Sequence, residues 1–256
     1  MITQQILLLC LAAFAAGFVD AIVGGGGLIQ TPATLLILPQ YPIATLLGTT
    51  KIPSFTGTSI AAIQYAKRIK VQWKLLLIMC CIALLAALLG SYCVTKISNQ
   101  FLKPIIFCAL LLVALYTFLK KDFGTITQQK IKPKHQILVG ILSALLIGFY
   151  DGFIGPGTGS FLILFFISVL GFDFLKASSH AKFVNLATNT GSILLFAKSG
   201  HILYQYALPM AICNVAGSFI GARLAILKGN QFVRYVFLFV IAATIIRFGY
   251  DIFKPH

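Results

Sequence analysis

The chain is a succession of long apolar blocks separated by short clusters of polar and basic residues. Leu75 to Val94 passes 20 residues without a charge and Ile202 to Ala222 passes 21. Each is enough to cross about 30 Å of hydrocarbon at roughly 1.5 Å per residue. Blocks of similar reach cover 5–23, 43–66, 101–119, 137–154, 178–197 and 232–250, so the pattern predicts eight spanning helices. Two further blocks are too short to cross: Leu28 to Leu38, closed by Pro39 and Pro42, and Ser160 to Phe172. Segments of that length are expected to lie part-way through a membrane, packed in protein. The first block has no preceding Lys or Arg and carries Asp20 near its end, which is not the pattern of a cleavable signal peptide.

Sliding the sequence against itself by 131 positions aligns Gly17, Phe18, Asp20 and Gly24 with Gly148, Phe149, Asp151 and Gly155. One extra residue in the second glycine stretch is later compensated. Lys51 then meets Lys182, Met79 meets Met210, Gly90 meets Gly221, and Asn99-Gln100-Phe101 meets Asn230-Gln231-Phe232. Matches this dispersed at one offset mark a duplication. The domain reading is a first transmembrane repeat, 1–119, a basic linker, 120–136, and a second repeat, 137–256.

Charge orients these halves. The linker holds Lys120, Lys121, Lys130, Lys132 and Lys134 against Asp122, and Lys67, Arg68, Lys70 and Lys74 form a second basic loop two crossings earlier. Both are expected on the cytoplasmic side, with Trp73 at the interface. In the second half the counterpart of the 67–74 loop keeps only Lys198, while Arg223, Lys228 and Arg234 gather at the other end. An inverted repeat has that signature, and a parallel repeat with re-entrant short segments distributes charge less cleanly.

Composition narrows the class. With 59% hydrophobic and 10% charged residues, a water-soluble domain of 256 residues could not hide its apolar surface. The net charge of +15 sits at helix ends, without a basic face interleaved with aromatics, so nucleic acid is not an expected partner. The partners implied are the lipid bilayer and a small solute. Cys10, Cys80, Cys81, Cys93, Cys108 and Cys213 lie in apolar runs without metal-ligand spacing, and neither a metal nor another cofactor is implied.

The candidate chemistry is paired in the same way as the halves. Asp20 and Asp151, two of only five aspartates in a chain without glutamate, each precede a glycine cluster by about one helical turn. A carboxylate in hydrocarbon must be neutral, paired or facing a watery cavity. The clusters themselves, Gly24-Gly25-Gly26-Gly27 and Gly155-Pro156-Gly157-Thr158-Gly159, should break a helix and bare backbone amides. Where the next short helix begins, N–H groups and dipole together form an anion site, although close helix packing through small residues is the other use of such glycines. Lys51 and Lys182 match in register inside polar helix starts containing Thr49, Thr50 and Ser54, or Ser178, Ser179, His180, Asn185, Thr188 and Asn189. The lysines would attract an anion or else snorkel to an interface. A histidine near Asp151 could relay protons.

These residues resemble the TauE/SafE sulfite exporter family, also called the toluene sulfonate uptake permease family. The resemblance rests on GFVDAIVGGGG, GTTK, the AKRIKVQWK loop and their second-half counterparts, over nearly the whole chain. It implies a multi-pass bacterial inner-membrane transporter of small anions such as sulfite or organosulfonates. His180 and Ala181 replace the hydroxyl residues Thr49 and Thr50, a departure that weakens any transfer of substrate identity. Two rival classes exist. An anion channel shares the duplicated, broken-helix design. An intramembrane aspartyl protease would need a Gly-x-Gly-Asp signature, whereas Asp20 follows Phe-Val, and no other hydrolase or Walker motif is present.

The sequence therefore predicts an all-α polytopic membrane protein with two homologous halves, and a secondary transporter instead of an enzyme. Gly24, Gly25, Gly26, Gly27, Gly155, Gly157 and Gly159 would offer backbone donors, Lys51 and Lys182 positive potential, and Thr50, Ser54, Asn185 and Asn189 hydrogen bonds. Asp20 and Asp151 would position the breaks or carry a coupling proton.

Overall fold

The computed structural model describes residues 2–102, 104–105 and 133–253, with side chains described within 2–102, 104–105, 135–233 and 235–236. Among the described residues it is all helical. The first half holds α1 (Ile2–Val23), α2 (Gly27–Ile37), α3 (Ile43–Ala66) and α4 (Trp73–Lys96). The second holds α5 (Pro133–Phe153), α6 (Thr158–Ser168), α7 (Phe174–Lys198) and α8 (Tyr204–Phe253), the last interrupted at Gly229 (φ 75°, ψ −168°). Most of the expected span at 101–119 and most of the 120–136 linker lie outside the described residues, as does Cys108. The five described cysteines are free thiols.

Four described helices are both long and apolar enough to cross a membrane: Ile2–Val23, Trp73–Lys96, His135–Phe153 and Tyr204–Val233. Their outward side chains, including Leu11, Leu77, Leu146 and Ile212, are largely exposed and form the surface that lipid covers. The expected spans at 43–66 and 178–197 fall on α3 and α7. These have 24 and 25 residues, but their hydroxyl, amide and lysine side chains make them too polar to qualify on composition. They sit inside the bundle, where Thr49, Thr58, Ser178, Lys182, Thr188 and Asn189 are buried.

The two short helices follow the glycine breaks, α2 matching the expected 28–38 within a residue and α6 stopping four residues short of the expected Phe172. Gly24 and Gly155 adopt φ of 75° and 92°, a region that side chains with a Cβ rarely enter, and both long helices stop just before them. The chain then folds back. Gln5 Nε2 at the start of α1 donates to Ile37 O at the end of α2 (3.3 Å), so α1 and α2 form a hairpin. α5 and α6 meet at the equivalent turn, where Tyr150 Oη donates to Pro156 O (2.7 Å) and its ring packs edge-on to Phe161.

The halves interlock. α1 packs along α8 of the other half, with Gly17 against Asn214 and Gly217 and Gly221 against Phe14 and Phe18; α5 packs along α4, with Gly148 against Ala83 and Gly152 against Ala87. Rising residue numbers face rising numbers in each pair, so both pairs run parallel. α3 and α7, equivalents in the duplication, run antiparallel. Thr45 Oγ1 at the start of α3 meets His201 Nδ1 beyond the end of α7 (2.9 Å), and Gln72 N beyond α3 donates to His180 Nε2 near the start of α7 (3.0 Å). Asn99 Oδ1 accepts from Ile43 N (3.0 Å) and Asn230 Oδ1 from Leu175 N (2.8 Å), one asparagine tying down the first turn of each central helix.

Candidate functional site

At about 1.5 Å per residue, Lys51 lies about 12 Å from the start of α3 and Lys182 about 12 Å from the opposite-facing start of α7. Antiparallel packing thus sets each lysine a third of the way in from opposite ends of the helix pair. Each reaches into the other half. Lys51 Nζ donates to Asp151 Oδ1 (3.1 Å) and to Asp151 O (2.7 Å). Lys182 Nζ donates to Asp20 Oδ2 (2.9 Å) and to Asp20 O. The matching residues of the duplication have exchanged partners.

Because Asp20 and Asp151 stand near the broken ends of α1 and α5, each lysine also caps a helix C-terminus, offsetting the negative end of its dipole. The carboxylates reach forward to the next helix. Asp20 Oδ1 accepts from Gly26 N (3.4 Å) and Asp151 Oδ1 from Thr158 Oγ1 (2.8 Å). The other Asp151 oxygen, Oδ2, is buried without a hydrogen bond among the described residues. Single ionised groups could not persist here; the pairing and capping bonds are what make two lysines tolerable in so buried a place.

The glycine tips meet. Ser160 N donates to Gly24 O (3.0 Å), and a Cβ added to Gly24 would lie 2.3 Å from the carbonyl carbon of Gly159. Gly27 abuts Pro156 in the equivalent crossing. Both uses foreseen for these glycines occur together: they break helices and they allow backbone to touch backbone.

A cavity of about 40 Å³ lies between the tips. Of the residues singled out from sequence, Gly24, Gly26, Gly27, Thr50, Lys51, Ser54, Gly155, Gly157, Gly159, Asn185, Asn189, Asp20 and Asp151 line it. Gly25 and Lys182 do not, although Lys182 holds Asp20 from behind. Ser54 and Asn185, 131 positions apart, face it together. Ser54 Oγ and Asn185 Nδ2 make no hydrogen bond among the described residues, whereas the Thr50 hydroxyl is spent on Leu47 O (2.8 Å). The N–H of Gly157, at the start of α6, is likewise without a bond there.

His180 takes no part. Its Nε2 accepts from Gln72 N, so Nδ1 carries the proton and donates to Lys176 O (2.7 Å), and the ring packs on Phe166 and Phe172. This neutral ring ties α7 to the 67–74 loop and touches neither Asp151 nor the cavity, which corrects the relay expectation.

Sequence reasoning missed Gln30 and Asn214. Gln30 Nε2 donates to Thr50 O (2.9 Å), and Asn214 Nδ2 donates to Gln30 Oε1 (3.0 Å), so a buried amide pair forms one wall. The available signal was a lone amide inside each apolar run, since a buried amide in lipid needs a partner.

The sulfite exporter TauE/SafE family model matches residues 9–248. A probable membrane transporter protein, ORF9, from Sinorhizobium sp is 38% identical over 96% of this chain and 93% of its own. The probable membrane transporter protein YfcA of Escherichia coli strain K12 is 32% identical over 93% of this chain and 87% of its own, and one from Haemophilus influenzae is 32% identical over 89% and 88%. No solved structure matches the chain. With the duplicated bundle, its paired broken helices and the match across nearly its whole length in view, the chain belongs to the sulfite exporter TauE/SafE family of membrane transporters.

Proposed function

We propose that the protein is a secondary carrier of a small anion, of the sulfur-oxyanion or organosulfonate class, across the bacterial inner membrane, working by alternating access between inverted halves. The observation that carries this reading is the reciprocal exchange of Lys51–Asp151 and Lys182–Asp20 beside one cavity. The antiparallel course of α3 and α7 supports inversion, since a pseudo-two-fold axis relating antiparallel spans lies in the membrane plane. The hairpins α1–α2 and α5–α6 then enter from opposite faces and meet at mid-depth.

The four paired side chains contribute no net charge, so they do not draw in an anion by themselves. With the C-termini of α1 and α5 capped by lysine, the helix ends left facing the cavity are the N-termini of α2 and α6, which favour negative charge. Ser54 and Asn185 add donors. About 40 Å³ of cavity holds roughly three waters, which suits an ion of a few heavy atoms. A larger organosulfonate requires the glycine tips to part.

The pairs also supply coupling. Protonating Asp151 would leave Lys51 uncompensated in a buried place, and an anion beside Lys51 would restore neutrality. Proton and anion therefore favour each other's binding, and by linkage each raises the affinity for the other to the same extent.

Purified protein in liposomes, offered sulfite, sulfate, thiosulfate, sulfoacetate and taurine, tests the reading. Saturable uptake of at least one anion with counterflow exchange is expected. Transport of none of them, or ohmic conductance without exchange, would overturn it, and the latter would make the protein a channel.

A further inference from the structure

A second cavity lies away from the first, on the lipid-facing side between the end of α3 and α8. It is a groove of about 600 Å³ lined by Gln64, Lys67, Arg68, Phe219, Arg223, Ile226 and Leu227. Lys67, Arg68 and Arg223 are exposed, and none of the lining residues is acidic. Gln64 Nε2 donates to Phe219 O (3.2 Å) and pins the two helices together at the groove's head. Phe219 and Leu227, 47% and 72% exposed, give it an apolar wall. An adjoining groove of about 450 Å³ shares Lys67 and Arg68 and ends at Trp73, an interfacial residue type that sets the level of the headgroups.

The duplication provides an internal control. Shifted by 131 positions, Lys67 corresponds to Lys198, but Arg68 corresponds to Ser199 and Arg223 to Tyr92. Leu227 corresponds to Lys96, whose ammonium lies over the Tyr92 ring (5.3 Å to the centroid). The same helix crossing thus forms without the two arginines, so folding does not demand them. Three cations around an apolar wall at headgroup level fit one kind of ligand.

We propose that this groove binds an anionic phospholipid, its phosphate held by Lys67, Arg68 and Arg223 and its acyl chains lying against Phe219, Ile226 and Leu227. Basic pockets between transmembrane helices recognise such headgroups, and arginine suits phosphate because its planar fork donates in pairs. The surface is independent of the transport reading.

Trp73 is the chain's single tryptophan, and it is half exposed beside the groove, so it reports occupancy directly. In bilayers containing brominated phosphatidylglycerol or brominated phosphatidylcholine, the anionic lipid should quench Trp73 fluorescence at much lower mole fraction. Arg68→Gln with Arg223→Gln should weaken the preference about thirty-fold, from roughly five-fold per cation removed. Equal quenching by the two lipids in the unaltered protein would overturn the proposal whatever the variant does, as would an undiminished preference in a variant that elutes as the parent. Loss of the preference on adding millimolar glycerol phosphate would also overturn it, by showing a site for a soluble anion.

Discussion

Replacing Asp151 by Asn leaves Lys51 charged and buried with its ammonium facing an amide. The lost attraction follows from the separation: at 3.1 Å and an effective dielectric constant of about 20, a full charge pair is worth about 5 kcal/mol. The Asp151 carbonyl, 2.7 Å from Nζ, survives the substitution and retains part of that. The expected loss is about 3–5 kcal/mol, the usual consequence of removing one member of a buried pair. At roughly 2–4 °C per kcal/mol for a chain of this size, Tm falls by about 6–20 °C. Lys51→Met with Asp151→Leu removes both charges and should recover to within about 1–2 kcal/mol of the parent. Asp20→Asn should cost less than Asp151→Asn, because the Asp20 side chain is 15% exposed against 4% for Asp151. Thermal unfolding in detergent, followed by the rise in labelling of the partly buried cysteines with a thiol-reactive dye, measures the three variants against the parent. If Asp151→Asn melts with the parent, or if the double variant loses the sum of the single losses, the pair does not hold the halves together and the argument fails.

Cysteines introduced at 67–74 and in the 120–136 linker should label from one side of the membrane, and cysteines at 199–203 from the other; a common side for all three would remove the inverted arrangement. Gly24→Ala should prevent closure of the tips, since its Cβ would meet the Gly159 backbone at 2.3 Å and φ is 75°, and a loss of folded protein on size exclusion checks this. Gly26→Leu should fail in the same assay, because its Cβ would lie 2.5 Å from Ala16 O in the α1–α2 hairpin. Ser54→Ala should raise the KM for uptake about ten- to a hundred-fold at unchanged stability, as expected for a lost hydrogen bond to a charged ligand of about 1.5–3 kcal/mol; Asn185→Ala should raise it similarly but also lower stability, because Asn189 Nδ2 loses the Asn185 Oδ1 acceptor.

Periodic blocks of apolar residues determined the membrane class, because burial in lipid imposes them on composition, and the 131-residue offset determined the duplication, because residue matches at one offset are read along the chain without any knowledge of contacts. The two helix breaks were equally legible: consecutive glycines, or a proline among them, cannot continue a helix, and α1 and α5 stop where those residues begin. Residues on each side of the breaks could be nominated for one site because the duplication marked them twice. Partnership, however, was settled only in three dimensions. From the sequence, Lys51 and Lys182 could attract an anion or snorkel to an interface. Antiparallel packing of α3 against α7 instead carries each to the carboxylate of the opposite half, which changes the cavity from positive to neutral. His180 gave no sign of its neighbours, since a contact with Gln72 across the helix bundle leaves no trace in local pattern. The Gln30–Asn214 pair was hidden for the same reason: 184 positions separate the two amides, and a bond between them across the bundle, in a place water does not reach, leaves no trace in local pattern.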